Sequence, residues 1–150
     1  SMPSQIKVDE IKNVAGQYEI KTDTFKGQTT AGSINVQGEG TATTNLQQGL
    51  AKSWANLNGT GTIALRDSFN VSSVADDGTG DYDFTYTNNF ENVNYSIESH
   101  NCFTSTGAWA VFNSAEEVPA TNFHNYKIVN RNGGAQDEAY NFYSTHGDLA

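Results

Sequence analysis

Asp76-Asp77-Gly78-Thr79-Gly80 runs directly into Asp81-Tyr82-Asp83-Phe84-Thr85-Tyr86, and this stretch decides the fold class. Successive side chains on a strand point to opposite faces. Tyr82, Phe84 and Tyr86 therefore share one face, and Asp81, Asp83, Thr85 and Thr87 share the other. That alternation predicts a half-buried antiparallel strand with one wet side. The Asp/Gly cluster ahead of it predicts a hairpin turn, with glycine supplying positive φ.

Working outward, the same period of two recurs. Residues 62–66 and 68–71 are strand candidates, the second with Phe69 and Val71 on one face. Residues 95–97, 107–112, 126–129 and 139–143 follow, and Asn130-Arg131-Asn132-Gly133-Gly134 predicts a turn. Six or seven short strands separated by turns predict a β-sandwich or small barrel.

Upstream the pattern changes. Ile6, Val8, Ile11 and Val14 are ambiguous between strand and helix, while Tyr18, Ile20, Thr22 and Thr24 alternate as a short strand. Residues 27–45 are rich in Gly, Thr, Gln and Asn, with Ile34 and Val36 to anchor a strand. They read as a loose linker, or as fibrous β structure completed by neighbouring chains. Leu46, Leu50, Trp54 and Leu57 then sit at spacings that place them on one face of a helix. Thr44 with Gln47 resembles a capping box, and Asn58-Gly59 a stop. The expected organisation is an extended N-terminal β segment (1–45), a short helix (46–58) and an antiparallel β-sandwich (59–150), all-β in class apart from that helix.

The chain has 150 residues, the length of one domain, but only 36% are hydrophobic and these include seven Tyr. A thin core raises the expectation of a homo-oligomer. The net charge is −9, and its excess lies after residue 47, where Lys52, Arg66, Lys127 and Arg131 face twelve acids. Such a surface repels phosphate backbones and anionic lipid, so neither nucleic acid nor membrane is an expected partner. No apolar run approaches the length of a membrane span. The N-terminus lacks the charged-then-apolar pattern of a secretion signal, and Ser1 ahead of Met2 reads as a tag remnant.

Motifs for catalysis are few. His100, His124 and His146 form no metal-binding spacing. A Gly-x-Ser-x-Gly elbow, a Walker loop and a dinucleotide fingerprint do not occur. Asp76, Asp77, Asp81 and Asp83 could hold Ca²⁺, but the spacing misses the calcium-loop pattern and a polar hairpin tip explains them. Cys102 permits no intrachain disulfide and reads as a small buried hydrophobe. Trp54 reads as packing on the helix. Trp109 could stack on a sugar ring. No catalytic residue, cofactor or metal ligand is expected, and the chain is read as no enzyme.

Residues 49–87 carry a longer pattern. Ala51-Lys52-Ser53-Trp54 leads into Asn58-Gly59-Thr60-Gly61-Thr62, then Arg66-Asp67-Ser68-Phe69-Asn70-Val71-Ser72-Ser73, then Asp77-Gly78-Thr79-Gly80-Asp81-Tyr82. This succession resembles a domain recurring in tailed-phage virion proteins, especially of phages of marine and aquatic bacteria. Asn92-Val93-Asn94-Tyr95, the closing Gly147-Asp148-Leu149-Ala150 and the opening residues 6–13 are similar to the corresponding parts of such proteins. The resemblance implies a virion structural protein of tail-fibre, head-fibre or capsid-decoration type, assembled in the bacterial cytoplasm. Such fibres are commonly trimers. No catalytic residue comes with the resemblance.

The expectation is thus a homotrimer attached to other virion proteins through its N-terminal segment, with an outward β domain for host adhesion or surface contact. Leu46, Leu50, Trp54 and Leu57 could pack at the three-fold axis, or on their own β domain. A host surface glycan is a possible ligand, for which residues 100–125 and Trp109 are the candidate surface. The alternatives are a lectin-like carbohydrate-binding module and a glycan depolymerase on a fibre.

Overall fold

The structure is a computed structural model that describes residues 22–27, 34–38, 40–102, 119–130 and 132–150, together with the backbone of Ala108–Phe112. The expected strand patterns at Ile6 to Val14 and at Tyr18 and Ile20 lie outside these residues. The ten strands among the described residues fall in the unit Asn35–Ala150, and the preceding unit is Ser1–Ile34. The strands are β1 (Asn35–Gln37), β2 (Thr43–Asn45), β3 (Ser53–Asn58), β4 (Ala64–Phe69), β5 (Val71–Gly78), β6 (Asp81–Tyr86), β7 (Ser96–Cys102), β8 (Ala108–Phe112), β9 (Phe123–Asn130) and β10 (Tyr140–His146). Among the described residues there is no helix.

Every pairing is antiparallel. β1 and β2 form a two-stranded ribbon. The other eight form two four-stranded sheets, ordered β4-β3-β10-β7 and β5-β6-β9-β8. Their inner faces supply one aromatic core. Tyr82, Phe84 and Tyr86 on β6 are buried, as the alternation predicts, beside His124, Tyr126 and Ile128 on β9. From the other sheet come Ala55, Leu57 and Tyr143. The Phe84 ring meets Tyr143 edge-on at 4.6 Å and stacks on His124 at 5.3 Å. Edge-to-face and offset contacts of this kind suit the ring quadrupoles. A second cluster packs Tyr86, Phe90 and Tyr95, with Phe90 stacked on Tyr95 at 4.0 Å.

The expected helix over 46–58 is replaced by a turn and a strand. Asn45 Oδ1 accepts from the Gln48 N–H (3.1 Å), and the Gly49 N–H donates to Asn45 O (3.1 Å). The ammonium of Lys52 then caps the carbonyls of Gln47 and Leu50, which ends the turn after one cycle. From Ser53 the chain extends as β3, with Ser53, Ala55 and Leu57 inward and Trp54 outward. The spacing of three between Trp54 and Leu57, which puts them on one helical face, puts them on opposite faces of a strand. Packing Leu57 fully inside the core outweighs the helical pattern. The β domain therefore takes in Ser53–Asn58, ahead of the expected boundary at 59.

The expected strand over 68–71 is also corrected. Asn70 adopts φ 58°, a left-handed conformation that Asn tolerates better than most residues. It is the corner where the chain leaves β4 and enters β5 in the other sheet. Its Nδ2 donates to the carbonyls of Lys52 and Asn88 (both 3.0 Å), and its Oδ1 accepts from the Asn88 N–H at 2.7 Å. Phe69 is left exposed, whereas Val71 packs against the core.

The hairpin β5–β6 forms where the acidic turn predicts it, with Gly78 at φ 137° and Gly80 at φ 66°. Gly59 is required for a different reason: a Cβ there would lie 2.4 Å from Tyr82 Oη. That hydroxyl donates to Gly59 O and contacts Asp137 Oδ1, both at 2.9 Å. The segment that carries the resemblance is thus the framework β3–β6.

Candidate functional site

The outer face of the sheet β4-β3-β10-β7 is built by register. Residues directly opposite one another in a sheet point to the same side. Trp54 on β3 is paired with Phe69 on β4 and with Ser144 on β10, which is paired with Glu98 on β7. The next row is Asp67, Asn56, Phe142 and His100. Tyr140 stands on the same face at the start of β10, opposite Cys102. Trp54, Phe69 and Tyr140 are 37%, 51% and 44% exposed, so three rings face solvent and Phe142 is half-buried between them.

A bulge completes this face. The register of β3 against β4 shifts between Asn56 and Leu57, so that Asp67 pairs with Asn56 while Leu65 pairs with Leu57. One extra residue in a strand re-aims its side chain. Here Arg66 joins Asp67 on the outer face instead of pointing into the core. Its guanidinium donates to Asn56 Oδ1 and Asn58 Oδ1 (both 3.4 Å) and to the carbonyl of Ala139. Its Cζ lies 4.2 Å from the centre of the Tyr140 ring, a cation–π contact. Arg66 is thereby held flat against the sheet.

The acidic hairpin is organised by protein donors. Asn125 Nδ2 donates to Asp81 Oδ1 (2.7 Å) and Asp83 Oδ1 (2.9 Å), and Lys127 Nζ lies 3.2 Å from Asp81 Oδ2. Burial, and then the carboxylates of Asp83, Asp81 and Asp76, push the Asp77 carboxyl above its usual range. Among the described residues no group of three or more His, Cys, Asp or Glu is placed to hold a metal ion.

The remaining candidate residues are scattered. Leu57 is buried in its own core, and Leu50 is exposed on the turn before β3. Leu46 is half-buried in that turn. The four therefore share no face. Trp54 is no packing residue but part of the outer face. Trp109 lies on β8, at the edge of the other sheet, and its side chain lies outside the described residues. Cys102 is exposed at the end of β7, not buried, because it points outward opposite Tyr140. His124 is fully buried: its Nδ1 lies 2.7 Å from Tyr86 Oη, and burial lowers its pKa to about 3. His100 and His146 are on the outer side of β7 and β10.

Asn56, Arg66, Phe69, Tyr140 and Phe142 carry the outer face without having been singled out together by their sequence. The only signal was the alternation of Ser53, Ala55 and Leu57 with Trp54, Asn56 and Asn58. It is faint because Ser and Ala are small.

No family model, no curated protein and no solved structure matches this chain. The arrangement must speak through its own chemistry. It is a surface of aromatic rings interleaved with amide, carboxylate and guanidinium groups.

Proposed function

We propose that the chain is a non-enzymatic virion structural protein of fibre or decoration type, whose two four-stranded sheets form a β-sandwich that works by surface contact. The resemblance of residues 49–87 to tailed-phage virion proteins supports the virion assignment. The observation that carries the mode of action is the outer face of β4-β3-β10-β7. It leaves Trp54 and Phe69 opposite each other in solvent, although the domain has few apolar residues to spare. Solvent-facing rings grouped on one face are the usual signature of a binding surface.

The ribbon β1–β2 supports assembly with other chains. All its residues are exposed or half-exposed, including Val36 at 48%. A lone two-stranded ribbon is marginal in water, and neighbouring chains would complete it. The homotrimer and the attachment through residues 1–45 belong to the same proposal.

Protein mass spectrometry of purified particles from the phage that encodes the chain tests it. The expected result is the chain at many copies per particle, retained after salt washing. Particles that lack it would overturn the virion assignment. Light scattering across a dilution series tests assembly: a stable mass near three chains is expected, and a monomer at every concentration would remove the trimer.

A further inference from the structure

The outer face of β4-β3-β10-β7 has a composition that selects its ligand. We propose that it is a glycan-binding platform for a neutral polysaccharide, with Trp54 and Phe69 stacking on sugar rings and Asn56 and Asp67 hydrogen bonding to hydroxyls. The proposal deepens the contact role given above and rests on it for the biological setting, but not for the chemistry.

Three features of the face lead to this ligand. First, its rings are bordered by polar and charged groups. The row of Phe69 and Trp54 continues into Ser144 and Glu98, and the row beside it runs Asp67, Asn56, Phe142, His100. The core of a protein–protein interface is depleted of charged residues, so a protein partner would bury Asp67 or Glu98 at a cost. A pyranose ring instead offers an apolar C–H face rimmed by hydroxyls, which matches a ring flanked by amides and carboxylates. Second, Trp54 and Phe69 lie on adjacent strands, about 4.8 Å apart. That spacing is comparable with one sugar ring, so neighbouring residues of a chain can each meet an aromatic side chain.

Third, the charge of the face points to an uncharged sugar. Arg66 reaches onto it from the edge strand β4, and its guanidinium is already committed to Asn56, Asn58, Ala139 and the Tyr140 ring. A carboxylated or sulfated polysaccharide would find Asp67 and Glu98 exposed on the face and a net charge of −9 on the chain. Repulsion of like charge then disfavours polyanions. Arg66 instead positions the two asparagines, holding both Oδ1 atoms toward itself. Asn58 Nδ2 donates to the carbonyl of Thr60 (3.0 Å), and Asn56 offers its Nδ2 as the donor of this face.

Affinity electrophoresis of the full chain tests the proposal. Native gels would contain, in turn, a glucan, a mannan, a galactan, a soluble chitin derivative and, as the charged comparison, a polyuronate. Retardation by at least one neutral polysaccharide is expected, and none by the polyuronate. Trp54→Ala and Phe69→Ala should each weaken it about tenfold or more, the loss of one stacking contact. Val93→Ala, an exposed apolar residue on the loop between β6 and β7, should leave it unchanged. Thermal melts that match the wild type would show that the variants remain folded, and Asn56→Ala gives a second, polar reading of the same face. No retardation by any neutral polysaccharide would overturn the proposal. So would binding only to the polyuronate, or retardation that survives both ring substitutions. The two proposals fail separately: a chain found in particles but blind to glycans loses only the platform, and a glycan-retarded chain missing from particles loses only the virion role.

Discussion

Tyr86 Oη and His124 Nδ1 lie 2.7 Å apart in a core where His124 has no exposed surface. The imidazole is stacked between Phe84 and Tyr86 and edge-on to Tyr143, so it behaves as a polar aromatic spacer. Its Nε2 has no protein partner. Burial lowers its pKa from 6.5 to about 3. The unfolded chain therefore takes up a proton that the folded chain refuses. Stability should be complete above pH 6.5 and fall as the pH drops toward 3. At pH 5 the loss against pH 7 is about 2 kcal/mol from this group. Urea midpoints at both pH values check it. In His124→Phe the difference contributed by this site should vanish, whatever the variant does to absolute stability.

Asn70 is expected to be the most sensitive polar position of the β4–β5 corner. Asn70→Ala removes hydrogen bonds to Lys52 and Asn88 and forces a Cβ-bearing residue without a local polar partner into φ 58°. The combined cost should be about 3 kcal/mol. Asn70→Gly removes the same bonds but relieves the backbone, and should recover about 1 kcal/mol of that. Denaturant titration of the two variants separates the contributions.

Gly59→Ala should cost about 3 kcal/mol or prevent folding. The added Cβ would lie 2.4 Å from Tyr82 Oη and 2.9 Å from Glu138 O, a buried backbone carbonyl. Gly38→Ala, where nothing lies within 4 Å, should change stability by less than about 0.5 kcal/mol. Melting temperatures of the pair give the contrast.

Ser53 Oγ and Tyr143 Oη form a buried hydrogen bond of 2.7 Å across the β3–β10 pairing. Either Ser53→Ala or Tyr143→Phe strands one buried hydroxyl and should cost about 1–3 kcal/mol. The double variant strands none and should cost less than the sum. A double-mutant cycle with coupling near zero would show that the bond contributes nothing.

The strand assignment of 53–58 has its own test. Leu57→Ala should cost about 2–5 kcal/mol because the side chain is fully buried, whereas Leu50→Asp should stay within about 0.5 kcal/mol of wild type in the monomer fold. Roughly equal costs at both positions would favour the helical face instead. The same Leu50→Asp protein, run beside the wild type in light scattering, shows whether the exposed turn contributes to a trimer contact.

Particular residues show why the sequence was readable in some places and not in others. The alternation of Tyr82, Phe84 and Tyr86 is strong because large rings oppose short polar groups, and it marks β6 and its buried face. The Asp/Gly cluster marks the hairpin because only certain residues adopt positive φ. β3 was hidden. Its inward residues Ser53 and Ala55 are too small to register as apolar, while Leu46, Leu50, Trp54 and Leu57 imitate a helical face. The corner at Asn70 was hidden too, because Phe69 and Val71 alternate like neighbours on one strand although they end in different sheets.

The sequence alone determined the class: short alternating strands, glycine-bearing turns and too little apolar matter for a large core. It also determined the buried face of each strongly patterned strand, because that information is local and has period two. The tertiary structure decided which strands pair, as with Ser53 and Tyr143 meeting 90 residues apart. It also decided that Trp54, Phe69 and Tyr140 share an outer face with Arg66. Register and bulges act between strands distant in the chain, and no local pattern encodes them. Burying Leu57 against its partners, a non-local gain, is what turned a helical spacing into a strand.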